Sequence, residues 1–109
     1  MKFTVELTKS AEADLNDILQ WITVSDSADR ALHVLDRIQS KLDSLHVEPE
    51  RGSVPRELGN LGIDRYRQIF FKPYRIIYQV REKRVVVSLI ADGRRDMLVL
   101  LQRRLTAPV

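Results

Sequence analysis

The first half of the chain combines one alternating segment with two helical stripes. Residues 2–7, KFTVEL, alternate between polar and apolar side chains, which predicts a half-buried strand. Ser10 is a suitable N-cap for the helix that follows. Its apolar stripe consists of Ala11, Leu15, Ile18 and Ile22. After the polar break VSDSAD, a second stripe of the same period contains Ala31, Leu35, Ile38, Leu42 and Leu45. This pattern predicts an antiparallel helical hairpin.

The second half changes to a period of two after a loop, residues 48–62, that is rich in proline and glycine. RYRQIFF and YRIIYQV are predicted strands, and the charged loop REKR connects the latter to a further strand, VVVSLIA. Alternation places Val85, Val87, Leu89 and Ala91 on one face of that last strand. The final segment, DGRRDMLVLLQRRL, predicts a turn followed by a helix with Met97, Leu101 and Leu105 directed inward.

The resulting order, β-α-α-β-β-β-α, predicts an α+β fold over a single domain, residues 1–109. We expect a mostly antiparallel sheet with the N-terminal helical hairpin packed on one face. The other face of the sheet is expected to remain uncovered.

Composition narrows the possible chemistry. The 109 residues are 44% hydrophobic and 30% charged, as in an ordinary globular domain. The absence of cysteine excludes disulfides, thiolate zinc sites and thiol catalysis. His33 and His46 lack the spacing of metal ligands, so we expect no metal and no cofactor. The N-terminal MKFTVELTKS lacks a signal-peptide core, and no apolar run is long enough for a membrane span, so a cytoplasmic protein without membrane association is expected.

The net charge of +3 is distributed unevenly. Residues 1–55 contain six Lys/Arg and ten Asp/Glu, whereas residues 56–109 contain twelve and five. The basic second half suggests an acidic partner, either nucleic acid or an acidic protein segment. The alternative is that these charges only solvate the surface.

Several arginines occur on or beside the predicted strands. Arg75 lies opposite the apolar face of its strand, Arg65 and Arg67 share a face of the preceding strand, and Arg94 and Arg95 follow the last strand. If the strands are neighbours, Arg67, Arg75 and Arg95 can converge on the uncovered face. There their guanidinium groups would suit phosphate or carboxylate. In the alternative, Arg75 pairs with an acid, and Arg94 and Arg95 pair with Asp92 or Asp96 near the start of the helix.

The whole chain resembles the RelE/ParE superfamily of bacterial toxins from type II toxin–antitoxin systems. The likeness rests on LTKSAEADLNDILQWI, on PERG and PREL in the central loop, and above all on PYRIIYQV and IADGRRDM. It implies a growth-arresting toxin whose partner is a cognate antitoxin. Operator DNA would then be bound only indirectly, through the antitoxin. A family member that binds its antitoxin without being toxic is a further possibility.

Members of the superfamily act on two kinds of target, and the resemblance leaves both possible. RelE-like members cut messenger RNA on the ribosome. In that case Arg67, Arg75 and Arg95 match the family's catalytic basic positions. Leu101, however, occupies the position of the RelE C-terminal tyrosine, and no histidine replaces it. ParE-like members inhibit DNA gyrase and need no such residue, so the missing tyrosine and the long hairpin favour gyrase. In either case Arg65, Arg67, Arg75, Arg94 and Arg95 are candidates for binding the target or the antitoxin.

Overall fold

The computed structural model describes residues 2–106, so Met1 and residues 107–109 of the predicted domain lie outside the described residues. The predicted order of elements is confirmed, with one additional short helix, α3, inside the proline- and glycine-rich loop. The elements are β1 (Thr4–Leu7), α1 (Lys9–Ser25), α2 (Ala28–Ser44), α3 (Arg56–Gly59), β2 (Tyr66–Phe71), β3 (Tyr74–Arg81), β4 (Arg84–Asp92) and α4 (Met97–Thr106).

The four strands form one sheet in the order β1-β4-β3-β2. β1 runs parallel to β4, whereas the β2–β3 and β3–β4 pairs are antiparallel, as predicted for a mostly antiparallel sheet. The loop between β3 and β4 is tighter than predicted because Arg81 and Arg84 pair across it. Glu82 turns the chain with a positive φ of 57°.

The two hairpin helices begin at hydroxyl side chains. Ser27 caps α2 by accepting a hydrogen bond from the Arg30 amide at 3.0 Å. The predicted cap of α1, Ser10, is wrong because the backbone is already helical at Lys9. Thr8, which has an extended conformation, accepts a hydrogen bond from the Ala11 amide at 3.1 Å instead.

The main hydrophobic core lies between the helical hairpin and one face of the sheet. Ile38 and Leu45 from the second half of the hairpin meet Ile76 and Tyr78 of β3, and all four are fully buried. Burying such a side chain stabilises the fold by about 1.5–3 kcal/mol. The predicted packing of the hairpin on one face of the sheet is therefore confirmed.

A β-bulge in β4 changes which residues share a face. Ile77 pairs with Leu89, but the next residue, Tyr78, pairs with Val87, so Ser88 is an extra residue. An extra residue reverses the alternation beyond it. Val85 and Val87 therefore face the hairpin core, whereas Leu89 and Ala91 face the opposite side, and the prediction of one shared face is wrong.

The face expected to be uncovered carries a second core. Leu58 of α3 and Met97 and Leu101 of α4 pack there against the sheet. Their partners from the sheet are Tyr66, Ile77, Leu89 and Ala91. The expectation of an uncovered face is wrong because both α3 and the C-terminal helix cross it. Within residues 2–106, no helix combines the length and apolarity that crossing a bilayer requires.

Candidate functional site: an arginine held by a glutamate

Arg67 and Arg75 lie on opposite faces of the sheet. Arg67 is directly paired with Tyr78, a residue of the hairpin-side core. Arg75 is paired with Phe70, and its neighbour on the same face of β3 is Ile77, which belongs to the second core. Since paired residues project to the same face, the two guanidinium groups cannot meet. The expected convergence of the arginines is therefore wrong.

Arg75 is held by a glutamate and a glutamine. Its Nη1 and Nη2 atoms donate to the two carboxylate oxygens of Glu57 in α3, each at 2.8 Å. Its Nε and Nη2 also donate to Oε1 of Gln68 on β2, at 2.9 and 2.5 Å. The alternative in which Arg75 pairs with an acid is confirmed, although the acid comes from a helix rather than from a neighbouring strand.

The Arg75–Glu57 pair is largely shielded from solvent, with the side chains 11% and 20% exposed. The hydrogen bonds from Arg75 lower the pKa of Glu57 to about 2, so this carboxylate is ionised at neutral pH. Gly93 completes the enclosure, since a Cβ at that position would lie 2.8 Å from Cδ of Arg75. Only glycine lets the backbone approach the arginine stem this closely.

An open cleft of about 480 Å³ surrounds this pair, and we call it the Arg75 cleft. The exposed side chains of Arg56 and Lys72 contribute two further cations. Phe70 of the edge strand β2, which is 46% exposed, adds an aromatic ring. The remaining lining residues are Glu57, Gln68, Pro73, Arg75 and Gly93.

Arg67 serves a structural role on the other face. Its Nη1 donates to the carbonyl of Gly52 at 2.8 Å and to that of Glu50 at 3.4 Å. The Gly52 amide in turn donates to the Tyr78 hydroxyl at 3.1 Å. Arg67 and Tyr78 therefore fasten the loop before α3 to the sheet.

The other candidate arginines lie elsewhere. Arg95 is exposed and lines a separate cleft beside α1, together with Asp14, Trp21 and Asp92. Arg94 pairs with Asp92 at 2.7 Å, as in the predicted alternative, and this pairing lowers the pKa of Asp92. Arg65 lies over the Tyr66 ring, 5.2 Å from its centroid.

Glu57 and Gln68 were not singled out from the sequence as site residues. The segment PREL signals a turn, but nothing local to it indicates that Glu57 faces a strand that follows in the chain. The position of Leu101, in contrast, could be predicted, because its apolar spacing indicated an inward side chain. Leu101 is fully buried in the second core, as predicted.

Comparison with known proteins identifies the family. A family model described as the ParE toxin of the type II toxin–antitoxin system, parDE, matches residues 5–97. A chain of the chromosomal ParDE toxin–antitoxin system from P. aeruginosa has a similar fold, with a TM-score of 0.69 and 20% identity over 83% of this chain and 95% of that one. A chain of the RelBE2 toxin–antitoxin complex from Mycobacterium tuberculosis gives a TM-score of 0.62 and 19% identity over 84% and 99%. No curated protein sequence matches this chain significantly. The family match covers most of the chain, which therefore belongs to the ParE toxins of type II toxin–antitoxin systems, within the RelE/ParE superfamily.

Proposed function

We propose that this toxin arrests growth by inhibiting DNA gyrase and that a cognate antitoxin neutralises it. The observation that carries the choice of target is the Glu57–Arg75 pair. Catalysis of phosphodiester cleavage needs positive groups directed at the charge that develops on the phosphate. Arg75 directs two of its N–H groups at a carboxylate instead.

Two further features support a target that requires no chemistry by the toxin. Arg67 and Arg75 are separated by the sheet, so they cannot act on one phosphate. Leu101, at the position of the RelE tyrosine, is buried and has no group able to transfer a proton. General acid–base catalysis is commonly worth about 10²–10⁴-fold, and this chain lacks it at that position.

Inhibition of gyrase by binding alone requires a preference for one state of the enzyme. A protein that binds the gyrase–DNA complex more tightly when the DNA is cleaved shifts the equilibrium toward that state. The exposed arginines Arg65, Arg94 and Arg95 are the candidates for this contact or for the contact with the antitoxin. Arg67 and Arg75 are less suited, because both are engaged within the protein and are not exposed, whereas Arg94, although paired with Asp92, keeps its side chain 80% exposed.

Purified gyrase with relaxed plasmid and ATP tests this proposal. We expect the toxin to block supercoiling and to leave linear plasmid after the gyrase is digested. The cognate antitoxin is expected to prevent both effects at equal molar amounts. Normal supercoiling at a large molar excess of toxin would refute the gyrase target.

The alternative is ribosome-dependent cleavage of messenger RNA, and one observation favours it. The Arg75 cleft combines the cations Arg56 and Lys72 with the exposed Phe70 ring, a combination typical of sites for single-stranded nucleic acid. This alternative predicts cut messages during translation and fewer cuts with Arg75→Ala or Arg95→Ala.

A further inference from the structure

Among the described residues that line the Arg75 cleft, three are cations and one is an acid. Arg56 and Lys72 are exposed, and Arg75 is almost enclosed. The single acid, Glu57, lies directly against the most enclosed of the three cations. Without the Glu57 carboxylate, the cleft would present three positive charges to an anion of small size.

The hydrogen bonds of Arg75 leave no room for a second bidentate acceptor. A phosphate group binds a guanidinium best through two parallel N–H groups. In this structure Arg75 makes four hydrogen bonds, two to Glu57 and two to Gln68. A phosphate can reach the same face of Arg75 only if Glu57 withdraws.

We propose that Glu57 is an internal plug, a carboxylate that occupies Arg75 and so prevents phosphate groups from binding in the Arg75 cleft. The inference concerns the ligand chemistry of the cleft, and it is tested on the purified toxin without gyrase or the ribosome. Glu57 thereby determines specificity, since its removal converts a cleft that excludes phosphate into an anion site.

The packing of α3 explains why a free anion does not displace this plug. The next residue, Leu58, is buried against Tyr66 and Ile77 in the second core. A carboxylate tethered in this way competes at an effective concentration of at least about millimolar. Acidification to pH 4.5 does not release Glu57 either, because Arg75 lowers the pKa of this carboxyl from 4.5 to about 2. Arg75 therefore becomes accessible to phosphate only when α3 is displaced or the Glu57 carboxylate is lost.

Titration with phosphate tests this inference directly. Inorganic phosphate and pyrophosphate are added to the wild type and to Glu57→Gln while the Arg75 Nε–H signal is followed by NMR. We expect Glu57→Gln to bind both anions at least about tenfold more tightly than the wild type. The exposed Glu48 provides a charge-matched control, Glu48→Gln, which is expected to behave as the wild type. The double variant Glu57→Gln/Arg75→Gln is expected to bind the two anions no more tightly than the wild type.

A parallel titration with a short single-stranded RNA distinguishes the two sources of phosphate. A gain for pyrophosphate alone assigns the opened cleft to small anions, and a gain for the RNA at equal phosphate concentration assigns it to a nucleic-acid backbone. Either gain supports the plug.

Equal phosphate binding by the wild type and a folded Glu57→Gln variant would overturn the proposal. If Glu57→Gln does not fold, Glu57→Asp keeps the charge but shortens the side chain, and it is expected to give a smaller gain. The absence of any gain in folded Glu57→Asp would also overturn it. None of these measurements involves gyrase, so failure of the plug and failure of the gyrase target give different results.

Discussion

Asp14 and Arg104 join the first and last helices at the bulge in β4. Nη1 and Nη2 of Arg104 donate to the two carboxylate oxygens of Asp14 at 2.8 and 2.9 Å. Asp14 also accepts the Ile90 amide at 3.0 Å, and Arg104 donates to the Ser88 carbonyl at 2.7 Å. The pair therefore provides hydrogen-bond partners for backbone groups of β4 at the bulge and beyond it, where β1 has ended at Leu7 and no longer pairs with β4.

Asp14→Asn should destabilise the protein through this network. The substitution removes the charge that balances a partly buried guanidinium, whose side chain is 24% exposed. We expect the free energy of unfolding to fall by about 1–3 kcal/mol, less than for a fully buried pair because some solvent reaches these side chains. Urea denaturation measures this. Asp17→Asn, at an exposed position three residues further along the same helix, should change stability by less than about 0.5 kcal/mol. Equal effects of the two substitutions would contradict the proposed role of Asp14.

The Glu57–Arg75 pair should make stability depend on pH in the acid range. The pKa of Glu57 is about 2 in the folded protein and 4.5 for the free side chain, so folding favours its ionised form. Its contribution is fully present above pH 4.5 and is lost as the pH falls toward 2. Because the carboxylate is partly exposed, we expect the wild type to exceed Glu57→Gln by only about 1–2 kcal/mol at pH 7.

Measuring this difference in unfolding free energy from pH 7 to pH 2.5 checks the prediction. The difference should decrease steadily below pH 4.5. A difference that stays constant over the whole range would show that the ionised carboxylate does not stabilise the fold.

Gly52 should not tolerate a side chain. A Cβ at this position would lie 2.5 Å from the carbonyl oxygen of Gln68 and 2.7 Å from the Tyr78 hydroxyl. Gly52→Ala must therefore push the loop away from β2, and we expect the free energy of unfolding to fall by about 1–3 kcal/mol. Gly59→Ala is the matched control, because its nearest contact would be Val54 at 3.6 Å. This control should be neutral or stabilising by up to about 1 kcal/mol. Thermal unfolding of both variants measures these effects. A larger loss of stability in Gly59→Ala than in Gly52→Ala would be inconsistent with the position of the loop.

Leu101→Tyr should not create a nuclease. Residue 101 is fully buried in the second core, so a tyrosine there overpacks the core rather than reaching solvent. We expect a destabilisation of about 1–3 kcal/mol and no cleavage of messages in a translation reaction. Leu98→Tyr, at a position that is 39% exposed on the same helix, should have little effect on stability. Message cleavage by Leu101→Tyr would indicate that α4 presents this position to substrate.

Periodicity predicted the elements because each helix or strand buries one regular stripe. The faces of the sheet were harder to predict, since RYRQIFF carries polar and apolar side chains on both faces and nothing in VVVSLIA marks the bulge at Ser88. The arginines were correctly singled out as unusual. Their partners could not be predicted, because Glu57 reaches Arg75 only through the packing of α3 on the sheet.

The choice between gyrase and messenger RNA is tested by assaying one preparation of the toxin in parallel on gyrase and on a reconstituted translation reaction. We expect linear plasmid from the gyrase reaction and intact message from the translation reaction. Cut message together with normal gyrase activity would contradict the gyrase target, because the Glu57–Arg75 pair would then not keep this site from acting on RNA.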